Sequence, residues 1–133
     1  MSQPVNSDTD RMSSLLQAVS SPARLEILLA IGRGEACVCH LEALLQMRQA
    51  YISQHLMALR EAGVIIARRE GRYVYYRLAN SRLLDLVQLT GQICGIPNIE
   101  VRGAYPLDGC ECPGCAIPSA TSLIQIEPPS LIN

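Results

Sequence analysis

The sequence predicts a mainly α-helical domain that carries a β-hairpin and ends in an irregular tail. In the N-terminal half, apolar side chains recur at helical spacing, whereas residues 64–78 are rich in β-branched and aromatic residues. From Pro97 onward the chain holds six of its eight prolines. The predicted divisions are a flexible arm at residues 1–6, a folded domain at 7–95 and a tail at 96–133.

Length and composition fit one globular domain. The chain has 133 residues, 49% of them hydrophobic, and a mean hydropathy of +0.18, so it has enough apolar material to form a core. No apolar run approaches the ~20 residues of a membrane-spanning helix, and the polar start does not resemble a signal peptide. We therefore expect a cytoplasmic protein without a membrane partner. In that reducing compartment, six cysteines favour functional thiolates over disulfides.

Four helices are predicted before the hairpin. The second has a clear start, because Ser21 offers a hydroxyl cap and Pro22 suits the first helical turn. Gly32 ends this helix. The first helix starts at residue 7, the third runs from about Cys37 to Gln46, and the fourth runs from about residue 48 or 49 to residue 62.

The hairpin consists of residues 64–69 and 72–78, with Gly71 in the turn between them. A fifth helix follows at about residues 81–92. Its leucines cover a wide arc, and a small protein that exposes such a surface is expected to bury it in a dimer.

Two helices joined by a short turn and followed by a hairpin form a winged helix-turn-helix, whose second helix enters the DNA major groove. The charge distribution favours this interpretation. Seven of the eleven arginines lie between residues 48 and 82, against two glutamates, although the whole chain has a net charge of −1. Such a basic block indicates a polyanion-binding surface, and the alternative is a solvated arginine-rich face.

The candidate DNA-reading residues follow from the face of the fourth helix that points away from the core. If Ile52, Leu56 and Leu59 point inward, Ala50 and Gln54 point outward. A glutamine can bond an adenine edge, and arginines of the hairpin suit phosphates or the minor groove. The candidates are Arg48, Gln49, Ala50, Tyr51, Ser53, Gln54 and His55 on the helix and Arg68, Arg69 and Arg72 on the wing. His55 falls nearer the buried side, which favours a structural or phosphate-contacting role.

Three segments in order resemble the ArsR–SmtB family: CVCHL at residues 37–41, ISQHLMALREAGVI at 52–65 and REGRYVYYRL at 69–78. The resemblance covers about residues 10–92. It implies a bacterial repressor, not an enzyme, that forms a homodimer through its first and last helices. It further implies that the dimer binds a palindromic double-stranded operator and releases it when a metal or metalloid binds.

The pair Cys37-x-Cys39 resembles the thiolate pair of the arsenic- and cadmium/lead-responsive branch. A helix N-terminus stabilises thiolates, and soft sulfur ligands select As(III), Sb(III), Cd(II) or Pb(II); no organic cofactor is implied. In a regular helix, however, residues two apart point about 200° away from each other. We therefore hypothesise that ion binding unwinds the first turn of the third helix. His40 is expected to be exposed rather than a ligand.

The sequence departs from the arsenic pattern at Glu42, where the family has a third cysteine. The tail supplies further sulfurs at Cys110, Cys112 and Cys115, which either complete the Cys37/Cys39 site or form a separate one. Cys94 is interpreted as a small buried hydrophobic residue outside the site.

Two other functions are weighed against metal sensing. Cys112 and Cys115 form a C-x-x-C pair, so the cysteines could instead sense redox state or hold an iron–sulfur cluster. An enzyme with a cysteine nucleophile is disfavoured, because neither of the two histidines lies in a recognisable nucleophile motif.

Overall fold

The structure is a computed structural model of one chain, and it describes residues 7–103. The predicted arm and the three tail cysteines lie outside the described residues. In chain order the elements are α1 (Asp8–Ala18), α2 (Pro22–Ile31), β1 (Ala36–Cys37), α3 (Val38–Leu45), α4 (Gln49–Glu61), β2 (Ile65–Glu70), β3 (Tyr73–Leu78) and α5 (Arg82–Ile93). Helices with a β-hairpin wing confirm the predicted fold class, a winged helix-turn-helix.

The two N-terminal helices begin where the capping residues predict. The Ser7 hydroxyl accepts a hydrogen bond of 3.1 Å from the Asp10 backbone N–H, and Pro22 lies in the first turn of α2. Helix α2 lies at the centre of the domain, because Ile27, Leu28 and Ile31 have no exposed surface. It contacts α3, α4, β3 and α5, so it is the element on which the others pack.

The sheet has one strand more than the hairpin. Strand β1 pairs antiparallel with β3, and β3 pairs with β2, which gives the order β1-β3-β2. Directly paired residues share a face of a sheet. Ile65 and Leu78 therefore point into the main core together, and Cys37, Tyr75 and Arg68 share the opposite face.

The predicted inward face of the fourth helix is confirmed. Ile52, Leu56 and Leu59 of α4 are at most 1% exposed. Gln46, which ends α3, has a left-handed backbone (φ 58°) that turns the chain toward α4. The outward face of α4 is therefore presented to solvent on a rigid support.

Residues 96–103, which the sequence analysis assigns to the tail, return to the domain. The Arg102 backbone N–H donates to the Leu29 carbonyl at 3.0 Å, and Val101 packs against the main core. This return brings Gly103 next to the end of α2, at Gly32. Within residues 7–103 no single helix is long and apolar enough to cross a membrane, although α1 and α2, bent by 85°, together reach that length and apolarity.

A substitution of Gly32 tests how closely residues 101–103 approach α2. A Cβ atom at Gly32 would lie 2.6 Å from the Gly103 Cα, and the Gly32 backbone has a φ of 60°. We expect Gly32→Ala to lower the free energy of unfolding by about 2–4 kcal/mol, because strain and a backbone clash add. Urea denaturation measures this change.

Gly71→Ala is the matched control, since Gly71 has a similar φ of 63° and no atom within 4 Å of the added Cβ. This variant should lose only about 1 kcal/mol, from backbone strain alone. Equal losses in the two variants would contradict the close approach.

Candidate DNA interface and thiol site

The predicted reading residues lie together on the outer side of α4. Gln54 is exposed, Tyr51 is 47% exposed and Ser53 is half-buried. Arg48, Gln49 and Ala50, at the start of the helix, are exposed as well. The structure therefore places the polar and small side chains of this helix where a major groove could reach them, and their contacts with bases stay a prediction.

His55 links α4 to α2. Its Nδ1 accepts a hydrogen bond of 3.1 Å from the Arg24 Nε, and Arg24 also donates through Nη1 to the Ala18 carbonyl at 3.0 Å. Its Nε2 is buried and has no hydrogen-bond partner within residues 7–103. Burial, and then the nearby Arg24 charge, lower the pKa of His55. A neutral ring fits its role as an acceptor, so His55 orients α4; a contact with DNA phosphate stays a prediction.

The three predicted wing arginines differ in their surroundings. Arg68 binds two carboxylates: its Nη2 lies 2.7 Å from the Glu35 Oε1, its Nε donates to both Glu35 oxygens, and its Nη1 lies 2.9 Å from the Glu70 Oε1. Arg69 and Arg72 are exposed, and neither forms an ion pair within the described part of the chain. Arg69 and Arg72 therefore offer positive charge to a phosphate, whereas the donors of Arg68 are already occupied.

The Glu35–Arg68 ion pair is charged at neutral pH. The hydrogen bonds from Arg68 lower the pKa of Glu35, and those same bonds raise the pKa of Arg68. The Glu35 side chain is 30% exposed and the Arg68 side chain is 47% exposed. Solvent therefore screens the pair, and its contribution to stability is small. Its effect is geometric, because it ties β2 to the residue that precedes β1.

The Cys37 and Cys39 sulfurs are adjacent. Both residues are thiols, and the two Sγ atoms lie 2.7 Å apart. Cys37 precedes the helix as its N-cap, with an extended backbone (φ −91°, ψ 170°), and its Sγ accepts a hydrogen bond from the His40 backbone N–H at 3.3 Å. We call these two side chains the dithiol.

The predicted start of the third helix at Cys37 is wrong by one residue, and this changes the chemistry. Only Cys39 is helical, so the 200° separation of two helical residues does not apply to this pair. The β1–β3 pairing holds Cys37 extended, and its sulfur lies beside that of the helical Cys39. The two sulfurs therefore meet without the helix unwinding that the sequence analysis required.

Two tyrosines border the dithiol. Cys37 is 2% exposed and Tyr75 is 5% exposed, and they form a cluster separate from the main core, with Cys39 and Tyr73 packed against it. Cys39 is half-buried, so the dithiol is accessible from its side. Within residues 7–103 no group of three Cys, His, Asp or Glu side chains could hold a metal ion.

Two single-residue expectations are wrong. His40 is 3% exposed rather than solvent-exposed, because the helix turns it into the domain, and burial lowers its pKa. Cys94 is exposed rather than buried, since it lies at the end of α5 where the helix leaves the core. Arg24, Glu35 and Tyr75 were not among the candidate site residues, because their partners are distant in the sequence and no local pattern marks them.

Comparison with known proteins identifies relatives. Residues 21–67 match the family model described as bacterial regulatory protein, arsR family. The chain is 42% identical over 74 residues to a biofilm growth-associated repressor of Agrobacterium fabrum, covering 56% of this chain and 63% of the relative. It is 52% identical over 56 residues to the arsenic resistance transcriptional regulator ArsR1 of Pseudomonas putida, covering 42% and 43% of the two chains.

Two further relatives share more of the chain. The cadmium resistance transcriptional regulatory protein CadC of Listeria innocua is 33% identical over 89 residues, which cover 66% of this chain and 75% of the relative. The solution structure of a homodimeric winged helix-turn-helix DNA-binding domain from Mycobacterium bovis is 33% identical, with a TM-score of 0.58, and covers 69% of this chain and 88% of that one.

The first curated relatives match over about three fifths of their own length. The family-model match, residues 21–67, contains α2 to α4, the dithiol and the start of the wing. Its fold and family are those of DNA-binding transcriptional regulators, not of enzymes. The chain therefore belongs to the ArsR family, here also called the ArsR–SmtB family, of bacterial regulatory proteins.

Proposed function

We propose that this chain is a metal(loid)-responsive transcriptional repressor. Its ion-free form binds operator DNA, and coordination of a soft ion by Cys37 and Cys39 lowers its affinity for the operator. The observation that carries this proposal is the adjacency of the two sulfurs, one on β1 in the sheet that forms the wing and the other in the first turn of α3. The proposal places the protein in the cytoplasm, where thiols stay reduced.

The inducer is As(III)/Sb(III) or Cd(II)/Pb(II). Thiolate sulfur prefers soft ions over hard cations, and each thiol gives its proton to solvent when it becomes a ligand. Two relatives support this choice through their names, since one regulates arsenic resistance and another regulates cadmium resistance. Because the dithiol supplies two sulfurs and the described residues hold no three-ligand group, we infer that a further ligand comes from elsewhere in the chain.

Cys110, Cys112 and Cys115 of the tail are the source we propose for that ligand. They lie outside the described residues, but chain length allows them to reach the dithiol. Gly103 lies against Gly32, and Cys37 is five positions after Gly32, a span of at most about 18 Å. Cys110 is seven positions after Gly103, so this stretch can span about 23 Å. The tail can therefore complete the site within one protomer; a separate three-sulfur site in the tail is the alternative.

A homodimer on palindromic DNA completes the proposal. Helices α1 and α5 expose apolar side chains that a second copy would cover: Met12 at 58%, Leu16 at 51%, Leu89 at 54% and Ile93 at 79%. A groove of about 360 Å³, lined by Leu15 of α1 and by Leu83 and Leu86 of α5, lies between these helices. The homodimeric relative of known structure supports the same assembly. In this arrangement α4 enters the major groove and the wing contacts the backbone.

A second candidate function is redox sensing. The 2.7 Å separation of the sulfurs favours it, because a two-electron oxidant can join two adjacent thiols by removing two protons and two electrons. Release of DNA by peroxide, together with indifference to every soft ion, would select this function over ion sensing.

The first prediction concerns the inducer. Apo protein is bound to a fluorescent DNA duplex selected from a random library and titrated with each of As(III), Sb(III), Cd(II), Pb(II) and Zn(II), under a non-thiol reductant. We expect an inducing ion to raise the dissociation constant of the DNA about 5- to 150-fold, the usual range of allosteric coupling. Cys37→Ser and Cys39→Ser should bind DNA normally and lose this response.

Two controls sharpen the titration. Cys94→Ser removes an exposed thiol away from the dithiol and should respond as the wild type does. Replacing Cys110, Cys112 and Cys115 with serine should weaken the response if the tail completes the site, and should leave it unchanged if the tail forms a separate one. Loss of DNA binding in the Cys37 or Cys39 variant would mean that these residues are structural.

The second prediction concerns base reading by α4. Gln54→Ala should cost about 1–3 kcal/mol in binding free energy and relax the preference at one base position of each half-site. Dissociation constants on duplexes that vary that position measure both effects. An equal loss on every duplex would exclude a base-reading role for Gln54.

The third prediction concerns the wing. Arg69→Ala and Arg72→Ala should each weaken binding on all sequences and reduce the salt slope by about 1, because each removes one phosphate contact. The slope is measured from dissociation constants at several salt concentrations. Arg102→Ala removes the same charge from a residue that pairs with Glu26, outside the wing, and should leave the slope unchanged. An unchanged slope in both wing variants would exclude phosphate contacts by the wing.

A further inference from the structure

One row of side chains crosses the three-stranded sheet from the dithiol to the wing. Cys37 on β1 is opposite Tyr75 on β3, and Tyr75 is opposite Arg68 on β2. Directly paired residues point to the same side of a sheet. The three side chains therefore lie side by side on the face that is turned away from the main core.

Contacts along this row are continuous. Cys37 and Tyr75 pack together as the two buried members of one cluster. The Arg68 guanidinium carbon lies 4.8 Å from the centroid of the Tyr75 ring, within the range of a cation–π interaction. Beyond the ring, Arg68 is held by Glu35 and Glu70 at 2.7 and 2.9 Å. We call Glu35, Arg68 and Glu70 the wing brace.

Ion binding places a new atom against both sulfurs. Metal–thiolate bonds are about 2.3 Å long even for the small zinc ion, so the ion must lie within bonding distance of each sulfur. Cys37 is 2% exposed and in contact with a buried ring. Close packing leaves no void beside such a side chain, so Cys37 must shift to accept the ion.

We propose that Tyr75 and Arg68 are positioning residues that transmit ion binding from the dithiol to the wing. The shift of Cys37 displaces the Tyr75 ring, and the ring displaces Arg68 and loosens the wing brace. The neighbouring Arg69, on the other face of β2, then loses its place against the DNA backbone. This inference rests on the proposed function, and it differs from the helix-unwinding hypothesis because the signal starts from a strand residue and passes through the sheet.

The brace connects the wing to the segment that carries Cys37. Glu35 immediately precedes β1, so its bidentate ion pair with Arg68 fixes β2 relative to the strand that carries Cys37. The brace is half-exposed and therefore weak, so a modest displacement can open it. In this proposal Arg68 holds the wing in place through its ion pairs with Glu35 and Glu70, whereas Arg69 and Arg72 offer their charge to DNA.

The test compares Arg68→Met with Arg48→Met in the full-length chain. The quantity measured is the release ratio, which is the dissociation constant for the selected duplex with the inducing ion divided by that without it. We expect Arg68→Met to lower this ratio at least 5-fold toward 1. Arg48→Met should weaken DNA binding in both states and keep the wild-type ratio, because it removes the same charge from the start of α4 without touching the row or the wing.

Ion affinity is the second readout. The sulfur-to-metal charge-transfer absorbance of Cd(II) should titrate with the same affinity in the wild type and in Arg68→Met, since Arg68 supplies no ligand. Glu35→Gln opens the brace from its other end and should also lower the release ratio. A path between two sites is established only by showing that its residues change the coupling between them. If Arg68→Met and Glu35→Gln both keep the release ratio of the wild type, the inference is overturned. A wild-type chain that responds to no ion would instead overturn the proposed function.

Discussion

The pairing of a two-residue strand, Ala36–Cys37, with β3 determines the geometry of the thiol site. Two residues cannot form a strand alone, so β1 exists only because Tyr75 and Tyr76 supply its hydrogen-bonding partners. The pairing keeps Cys37 extended and makes it the N-cap of α3, with its sulfur accepting from the His40 N–H. Without it, Cys37 would join the helix and the two sulfurs would diverge. Cys37 and the strand that carries Arg68 and Arg69 consequently belong to one sheet.

Charge in this domain is organised by tertiary contacts rather than by sequence blocks. The segment from residue 48 to residue 82 is strongly basic as counted along the chain. In the fold, however, Glu35 from outside that segment joins Glu70 in binding Arg68. The positive charge available to DNA is therefore smaller than the count suggests, and it is concentrated at exposed side chains such as Arg48, Arg69 and Arg72.

Helix α2 connects the parts of the molecule that the proposed mechanism needs. Arg24 near its start holds His55 of α4, and Gly32 at its end admits Gly103 in close contact. The first of these contacts ties α2 to α4, the helix that we propose faces DNA. The second brings Gly103 against Gly32, which lies five positions before Cys37 in the sequence. Because the inner face of α2 is fully buried, close packing keeps Arg24 near its start and Gly32 at its end in fixed positions.

The sequence by itself determined the fold class, the helix-turn-helix, the hairpin and the inward face of α4, because caps, turns and hydrophobic periodicity act over a few residues. It also identified Cys37 and Cys39 as the candidate pair. Only the tertiary structure decided that these sulfurs meet, that His40 is buried, that Cys94 is exposed and that Arg68 binds Glu35. Pairings such as Arg24–His55, Glu35–Arg68 and Cys37–Tyr75 join residues more than thirty positions apart. No local pattern encodes such pairings, since they arise only when helices and strands pack around one core.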